Sequence, residues 1–301
     1  MSIGLKKLLM GAAFAALAGT SAHAQTVTIS VAAAANLTGP LMAIISDFES
    51  HFSAQHYQVT ATFAASGTLE AQINGTCTGC TPNQPGYDLF LSADTAHPQD
   101  LITSYPSTVF AYNSPATPPK YLIQYVIGEL DLYSNTAGID VSSGLPSGWS
   151  KVAIANPANA PYGLAASQVL KNQYGIATLP NSKVDQYADI TATFNAVNGV
   201  SPNPPTELYG FVARSQICNM SNTPPYIGVS HQDIASGVGT YDPIVQGGVE
   251  IAHTRTAAQQ LELTRFVQYL VGKNFSGGTV TPNASAQFTN FCYTLSSTPY
   301  P

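Results

Sequence analysis

The chain has 301 residues, with 16 acidic side chains against 10 basic ones, and only 9% of it is charged, far below the roughly 25% usual in soluble domains. That length builds one large or two medium domains. No cluster of Lys and Arg gives it a basic face, which excludes nucleic acid as a partner.

Lys6 and Lys7 precede an apolar run over residues 8–18, and Ala22-His23-Ala24 is a small-x-small cleavage site. The pattern predicts a secretory signal peptide over residues 1–24, cut before Gln25. The run is too short to span a bilayer, and no later run is longer, so the mature chain is expected to be soluble and exported. Without Lys6 and Lys7 it keeps eight basic residues against 16 acidic, a formal charge of −8.

Residues 27–69 hold two matching units of strand, polar turn and helix. The first runs from Val27 to the turn Ala35-Asn36-Leu37 and into a helical pattern ending near Phe52. The second runs from Tyr57 to the turn at Ser66-Gly67 and enters another helix. Asn36 and Ser66 stand where helix N-caps are expected, and both side chains can turn toward a ligand instead. Helix N-termini carry unpaired N–H groups and a partial positive charge, so two of them facing one cleft make an anion site.

Further along, residues 74–86 read as a Gly/Thr/Pro-rich loop insertion and Tyr87 to Asp94 as a short strand. Asp100 to Tyr105 is a brief helix, and residues 106–120 are a Pro-rich loop. Tyr125 to Tyr133 reads as one extended strand with Gly128 marking a bend, as suits a strand crossing between domains. Lys151 to Ala155 is a buried-type strand, and Pro161 punctuates the start of a helix ending near Tyr174. Asp189-Ile190-Thr191 opens a short helix through Val197. Strands are predicted at 208–213, 227–230 and 241–251, the last returning to the first half. Thr256 to Gly272 is the best helix, with Leu261, Thr264, Phe266, Val267 and Leu270 assigned to one side. The tail, 282–301, is Ser/Thr/Pro-rich.

Alternating strands and helices imply an α/β fold with mostly parallel sheets flanked by helices. The interrupted strand at Gly128 and the returning strand near Pro243 divide it into domain I, 25–127 with 243–301, and domain II, 128–242. Ligands of such sheets bind beyond the carboxyl ends of strands, at helix N-termini, where Asn36, Ser66, Tyr162 and Ile190 all fall.

Four cysteines in an exported chain favour disulfides. Cys77-Thr-Gly-Cys80 could instead be a redox pair or half a zinc site. A redox CxxC normally starts a helix, and the following Thr-Pro-Asn-Gln-Pro-Gly cannot form one. The expected bridges are Cys77–Cys80 and, by elimination, Cys218–Cys292. Asp88 and Asp94 read as loop and cap residues, the six histidines show no HExxH spacing, and there is no GxSxG elbow. An enzyme is not expected.

The chain resembles the periplasmic molybdate-binding proteins, the substrate-binding components of molybdate ABC transporters. The resemblance lies in Ala-Ala-Ala-Asn36-Leu-Thr, Phe63-Ala-Ala-Ser66-Gly-Thr-Leu, Tyr87-Asp-Leu-Phe-Leu-Ser-Ala-Asp94 and Tyr125-Val-Ile-Gly-Glu-Leu. It continues through Ala155-Asn-Pro-Ala-Asn-Ala-Pro-Tyr162-Gly, Gly210-Phe-Val-Ala213-Arg-Ser-Gln and Tyr241-Asp-Pro-Ile-Val-Gln. These pieces occur in family order over nearly the whole mature chain.

The resemblance implies a two-domain periplasmic binding protein of type II, hinged on crossing strands and closing on one tetrahedral oxyanion. It implies that Asn36, Ser66, Tyr162, Ile190 and the backbone at Ala35 bind molybdate or tungstate, touching the metal only through its oxygens. It further implies no cofactor, a periplasmic location, a monomer and a membrane permease as partner. Some family members place a binding tyrosine where this chain has Ala213, and the insertion after Cys77 and the long tail also depart from the family. A site for another anion, such as sulfate or an organic anion, and a thiol–disulfide protein built on Cys77 and Cys80 stay open as alternatives.

Overall fold

The computed structural model describes residues 26–109, 122–274 and 276–298. The expected signal peptide and residues 110–120 of the expected Pro-rich loop lie outside them. None of the described helices is long and apolar enough to cross a membrane.

The two opening units fold as strand, turn and helix. Strand β1 (Val27–Ala34) leads through a 3-10 turn, Ala35–Leu37, into helix α1 (Thr38–His51). Strand β2 (Tyr57–Ala64) leads into α2 (Ser66–Asn74). A short β3 (Leu89–Leu91) and α3 (Ala96–Ser104) follow, so this helix begins four residues before the expected Asp100. β1 pairs in parallel with both β2 and β3. Its continuous apolar end, Val31 to Ala34, is buried, as a strand covered on both faces requires.

The single strand expected over 125–133 is two: β4 (Ile123–Gly128) in the first sheet and β5 (Leu130–Ser134) in the second. Gly128 is needed for space. A Cβ there would collide with the Tyr162 hydroxyl and lie 2.6 Å from Gln246 Nε2.

The second sheet adds β6 (Val152–Ala155), β7 (Val184–Tyr187), β8 (Gly210–Ala213) and β9 (Ser230–Ile234), in the order β7-β6-β8-β5-β9. Helices α4 (Pro161–Tyr174) and α5 (Ile190–Asn198) follow β6 and β7, and α6 (Arg214–Ile217) follows β8. β9 starts where the strand predicted at 227–230 was to end. Gly228 has a φ of +89°, outside extended backbone, which keeps the preceding residues out of the sheet.

Strand β10 (Ile244–Glu250) returns to the first sheet and lies antiparallel between β3 and β4. Then come α7 (Ala257–Val271), α8 (Ser285–Asn290) and β11 (Thr294–Leu295), giving the order β11-β4-β10-β3-β1-β2. Parallel pairing is thus found in β2-β1-β3 and β7-β6-β8, while the strands near the crossing are antiparallel.

Helix α7 is started by a capping box, Thr256 Oγ1 accepting from Gln259 N at 3.2 Å and Gln259 Oε1 from Thr256 N at 3.0 Å. Its buried face carries Leu263, Phe266, Val267 and Leu270, an i, i+3, i+4, i+7 stripe. Leu261, assigned to that face from sequence, is 48% exposed, because two residues before Leu263 lies on the far side of the helix. The Ser/Thr/Pro-rich tail contributes to the core: Phe288 and Tyr293 are buried beneath the first sheet. Both expected disulfides are present, Cys77–Cys80 in the loop after α2 and Cys218–Cys292 joining the end of α6 to the tail before β11.

Candidate functional site

The carboxyl ends of β1, β2 and β6 and the start of α5 meet at one small cavity between the sheets. Ala35, Asn36, Ser66, Tyr162 and Ile190 all line it, completed by Ala34, Ala65, Ala93, Ala160 and Pro161. The five residues singled out from sequence are therefore brought together. Ala213 ends β8, fully buried, and is not part of this lining. The cavity is tight, with about 10 Å³ of space for a water-sized centre. That is on the scale of a single water, so it suits a small ion rather than a drug-sized ligand.

No acidic or basic side chain lines the cavity. Its positive character comes from helix ends. Ser66 and Ile190 are the first residues of α2 and α5, and Tyr162 is the second of α4, behind Pro161. First-turn N–H groups have no partner within their own helix. At α5 the N-cap Asp189 takes the N–H of Ala192 at 2.8 Å, which leaves that of Ile190 unserved by the cap.

Neither Asn36 nor Ser66 is the N-cap that the sequence suggests. Asn36 sits inside the 3-10 turn, Ser66 is one residue past the N-cap Ala65, and neither makes a capping bond. Ser66 Oγ accepts the N–H of Ala93 at 3.0 Å, which leaves its own hydrogen for the cavity. Asn36 is engaged more deeply. Its Nδ2 donates to Gln246 Oε1 at 3.0 Å and to Tyr293 Oη at 2.7 Å, while Gln246 Nε2 donates to Tyr162 Oη at 3.0 Å. Tyr125 Oη donates to Ser92 O at 2.7 Å and lies 3.1 Å from Gln246 Oε1. Burial pushes the Tyr125 and Tyr162 phenols well above their ordinary range and Tyr293 up to about 12, so all three keep their hydrogens near neutral pH.

Sequence reasoning missed Gln246, Tyr293 and Tyr125. Gln246 left a trace as a polar residue inside the apolar strand Ile244–Glu250, where it is fully buried. Tyr293 left none, lying in a tail read as polar.

The walls are joined across the cavity. Gly67 N donates to Asn159 O at 2.9 Å, Thr191 Oγ1 to Ala35 O at 3.0 Å and Ser215 Oγ to Asn36 O at 3.2 Å. A Cβ on Gly67 would lie 3.1 Å from His97 Nε2 and 3.2 Å from the Asn159 backbone, a tight fit that favours glycine at this approach.

Charged groups gather elsewhere. Asp88 is held by Arg255 and by Ser30 N, and Asp94 accepts the N–H of His97, the structural roles expected of both acids. Asp131, His231 and Asp233 have metal-ligand chemistry, but Arg214 pairs with Asp131 at 2.8 Å and Asp233 at 3.3 Å, so a guanidinium already supplies the cation there. Cys77 and Cys80 lie in turns beyond the end of α2, not at a helix start.

Residues 29–275 match the family profile of bacterial extracellular solute-binding proteins. The molybdate-binding protein ModA of Azotobacter vinelandii is 31% identical over 222 residues, 72% of this chain and 75% of its own. That of Rhodobacter capsulatus is 28% identical over 265 residues, 87% of each chain. The solved structure of the Azotobacter vinelandii periplasmic molybdate-binding protein superposes with a TM-score of 0.68 at 25% identity, over 89% of this chain and 100% of its own.

Proposed function

The chain belongs to the bacterial extracellular solute-binding proteins, and from that premise we propose that it captures molybdate or tungstate in the cavity between its sheets and delivers it to the permease of an ABC transporter. The relatives named molybdate-binding supply the ligand class, and the signal-peptide pattern supports work in the periplasm after removal of residues 1–24. In this reading residues 25–127 with 243–301 and residues 128–242 are the two domains that close on the ion.

The observation that carries the reading is a cavity without charged side chains, ringed by three helix N-termini. Fixed N–H dipoles stabilise an anion there without the desolvation of a buried Lys or Arg. The Ser66 hydroxyl, the Asn36 amide and the backbone at Ala35, Tyr162 and Ile190 are the proposed contacts. Molybdate near neutral pH carries no proton, so its oxygens only accept. Phosphate keeps a proton, and leaving that O–H unpaired on burial costs about 1–3 kcal/mol, roughly ten- to a hundredfold in affinity.

Calorimetric titration of the mature chain with molybdate, tungstate, sulfate and phosphate tests this. One molybdate or tungstate bound per chain, with phosphate much weaker, is the expected result. Heat from sulfate or an organic anion but none from molybdate or tungstate would overturn it.

A further inference from the structure

Asn36 is 1% exposed, and its Oδ1 has no hydrogen-bond partner among the described residues. Both hydrogens of its Nδ2 are taken, by Gln246 and Tyr293. A residue that lines the cavity therefore carries a buried acceptor without a partner, the wrong polarity for an oxyanion without protons.

The two ends of an amide have the same shape, so the heavy-atom frame admits a second arrangement with Asn36 and Gln246 both turned by half a revolution. Asn36 Oδ1 then accepts from Tyr293 Oη across the 2.7 Å contact and from Gln246 Nε2 across the 3.0 Å contact. The other hydrogen of Gln246 Nε2 goes to Tyr125 Oη at 3.1 Å, whose own hydrogen stays on Ser92 O. Tyr162 donates to Gln246 Oε1 at 3.0 Å. Both hydrogens of Asn36 Nδ2 are then left without a partner in the protein. Turning Asn36 alone is barred, since its Oδ1 would meet Gln246 Oε1, acceptor against acceptor. The two amides turn together or not at all.

We propose that Gln246 is a positioning residue that sets the donor pattern of the cavity, and that an oxyanion without protons selects the arrangement in which Gln246 donates to Asn36 and the Asn36 amide donates to the ion. This rests on the anion reading above. The arrangement present in the structure offers Tyr162's hydrogen and one acceptor, a pattern that fits an oxyanion still carrying a proton. The turned arrangement offers two hydrogens from Asn36 and no acceptor from it, and it commits the Tyr162 hydroxyl hydrogen to Gln246, so Tyr162 serves the ion through its first-turn N–H. Gln246 touches neither ligand; it acts through Asn36 and Tyr162.

The test compares the parent with Gln246→Met, which keeps length and neutrality but holds neither amide arrangement. Molybdate and phosphate affinities are measured on both, with the Asn36 side-chain amide followed by nitrogen–proton NMR and assigned by its loss in Asn36→Ser. In the parent, saturating molybdate should shift the Asn36 amide pair, because its hydrogens move from Gln246 and Tyr293 to the ion. In Gln246→Met, molybdate affinity should fall about tenfold while phosphate affinity changes less, so the ratio narrows. Equal losses for both anions, or an Asn36 amide that does not move in the molybdate-saturated parent, would overturn the proposal. A parent that binds no molybdate would overturn the anion reading itself, which is a different result.

Discussion

The turn after β1 and the turn after β2 look alike in sequence, each passing from a strand through a small polar residue into a helix. In space Asn36 is gripped by two side chains from far along the chain, Gln246 and Tyr293, whereas the Ser66 hydroxyl is met by a main-chain N–H, that of Ala93. One turn is part of a buried side-chain network and the other is set by local backbone. The same residue pattern thus yields a donor whose direction depends on its neighbours and a donor whose direction is fixed.

That contrast is most exposed by Asn36→Ala. It should weaken molybdate binding by up to about a hundredfold and also lower unfolding stability by about 1–3 kcal/mol, since Gln246 and Tyr293 lose a buried partner. Calorimetry and urea unfolding read the two effects separately. Ser66→Ala should cost about ten- to a hundredfold in affinity, from a charge-assisted bond worth about 1.5–3 kcal/mol, with a smaller loss of stability. If both variants lost stability alike, the distinction between network and local turn would fall.

Two further changes probe what stands behind the turns. Replacing Cys77 and Cys80 by serine opens a very short loop beyond α2, so stability should drop by about 2 kcal/mol at most. Affinity should stay at the parent value if Ser66 is positioned by its own backbone. A separate, pH-dependent effect concerns Glu262, buried on α7 and accepting Gln58 N of β2 at 3.0 Å. Burial raises its pKa to about 8. The folded chain then holds a proton that the unfolded chain has released, so stability should decline by about 1 kcal/mol per pH unit as pH climbs from the ordinary carboxyl range to about 8. Glu262→Gln should flatten that slope in pH-resolved thermal unfolding and leave binding untouched.

Much of this was legible in the sequence for local reasons. The apolar runs of β1 and β2, Pro161 opening α4 and the Thr256–Gln259 box all act within a few residues. The convergence of Asn36, Ser66, Tyr162 and Ile190 followed from where ligands bind in parallel sheets. What stayed hidden depends on pairs of residues remote in sequence. Gly128 reads as a bend, but its hydrogen is required by Tyr162 and Gln246, neither of which is near it in the chain. Likewise, Tyr293 sits in a stretch whose composition resembles a linker, and only the packing of Phe288 and Tyr293 beneath the first sheet reveals it as core.

The Cys218–Cys292 bridge has a consequence for how an ion gets in. Ser215 lies three residues before Cys218, and Tyr293 directly follows Cys292; their hydroxyl oxygens are 3.0 Å apart beside Asn36. If the two proposed domains part to admit an ion, this flank would stay stitched by the bridge, and the backbone bond to be broken elsewhere is Gly67 N to Asn159 O.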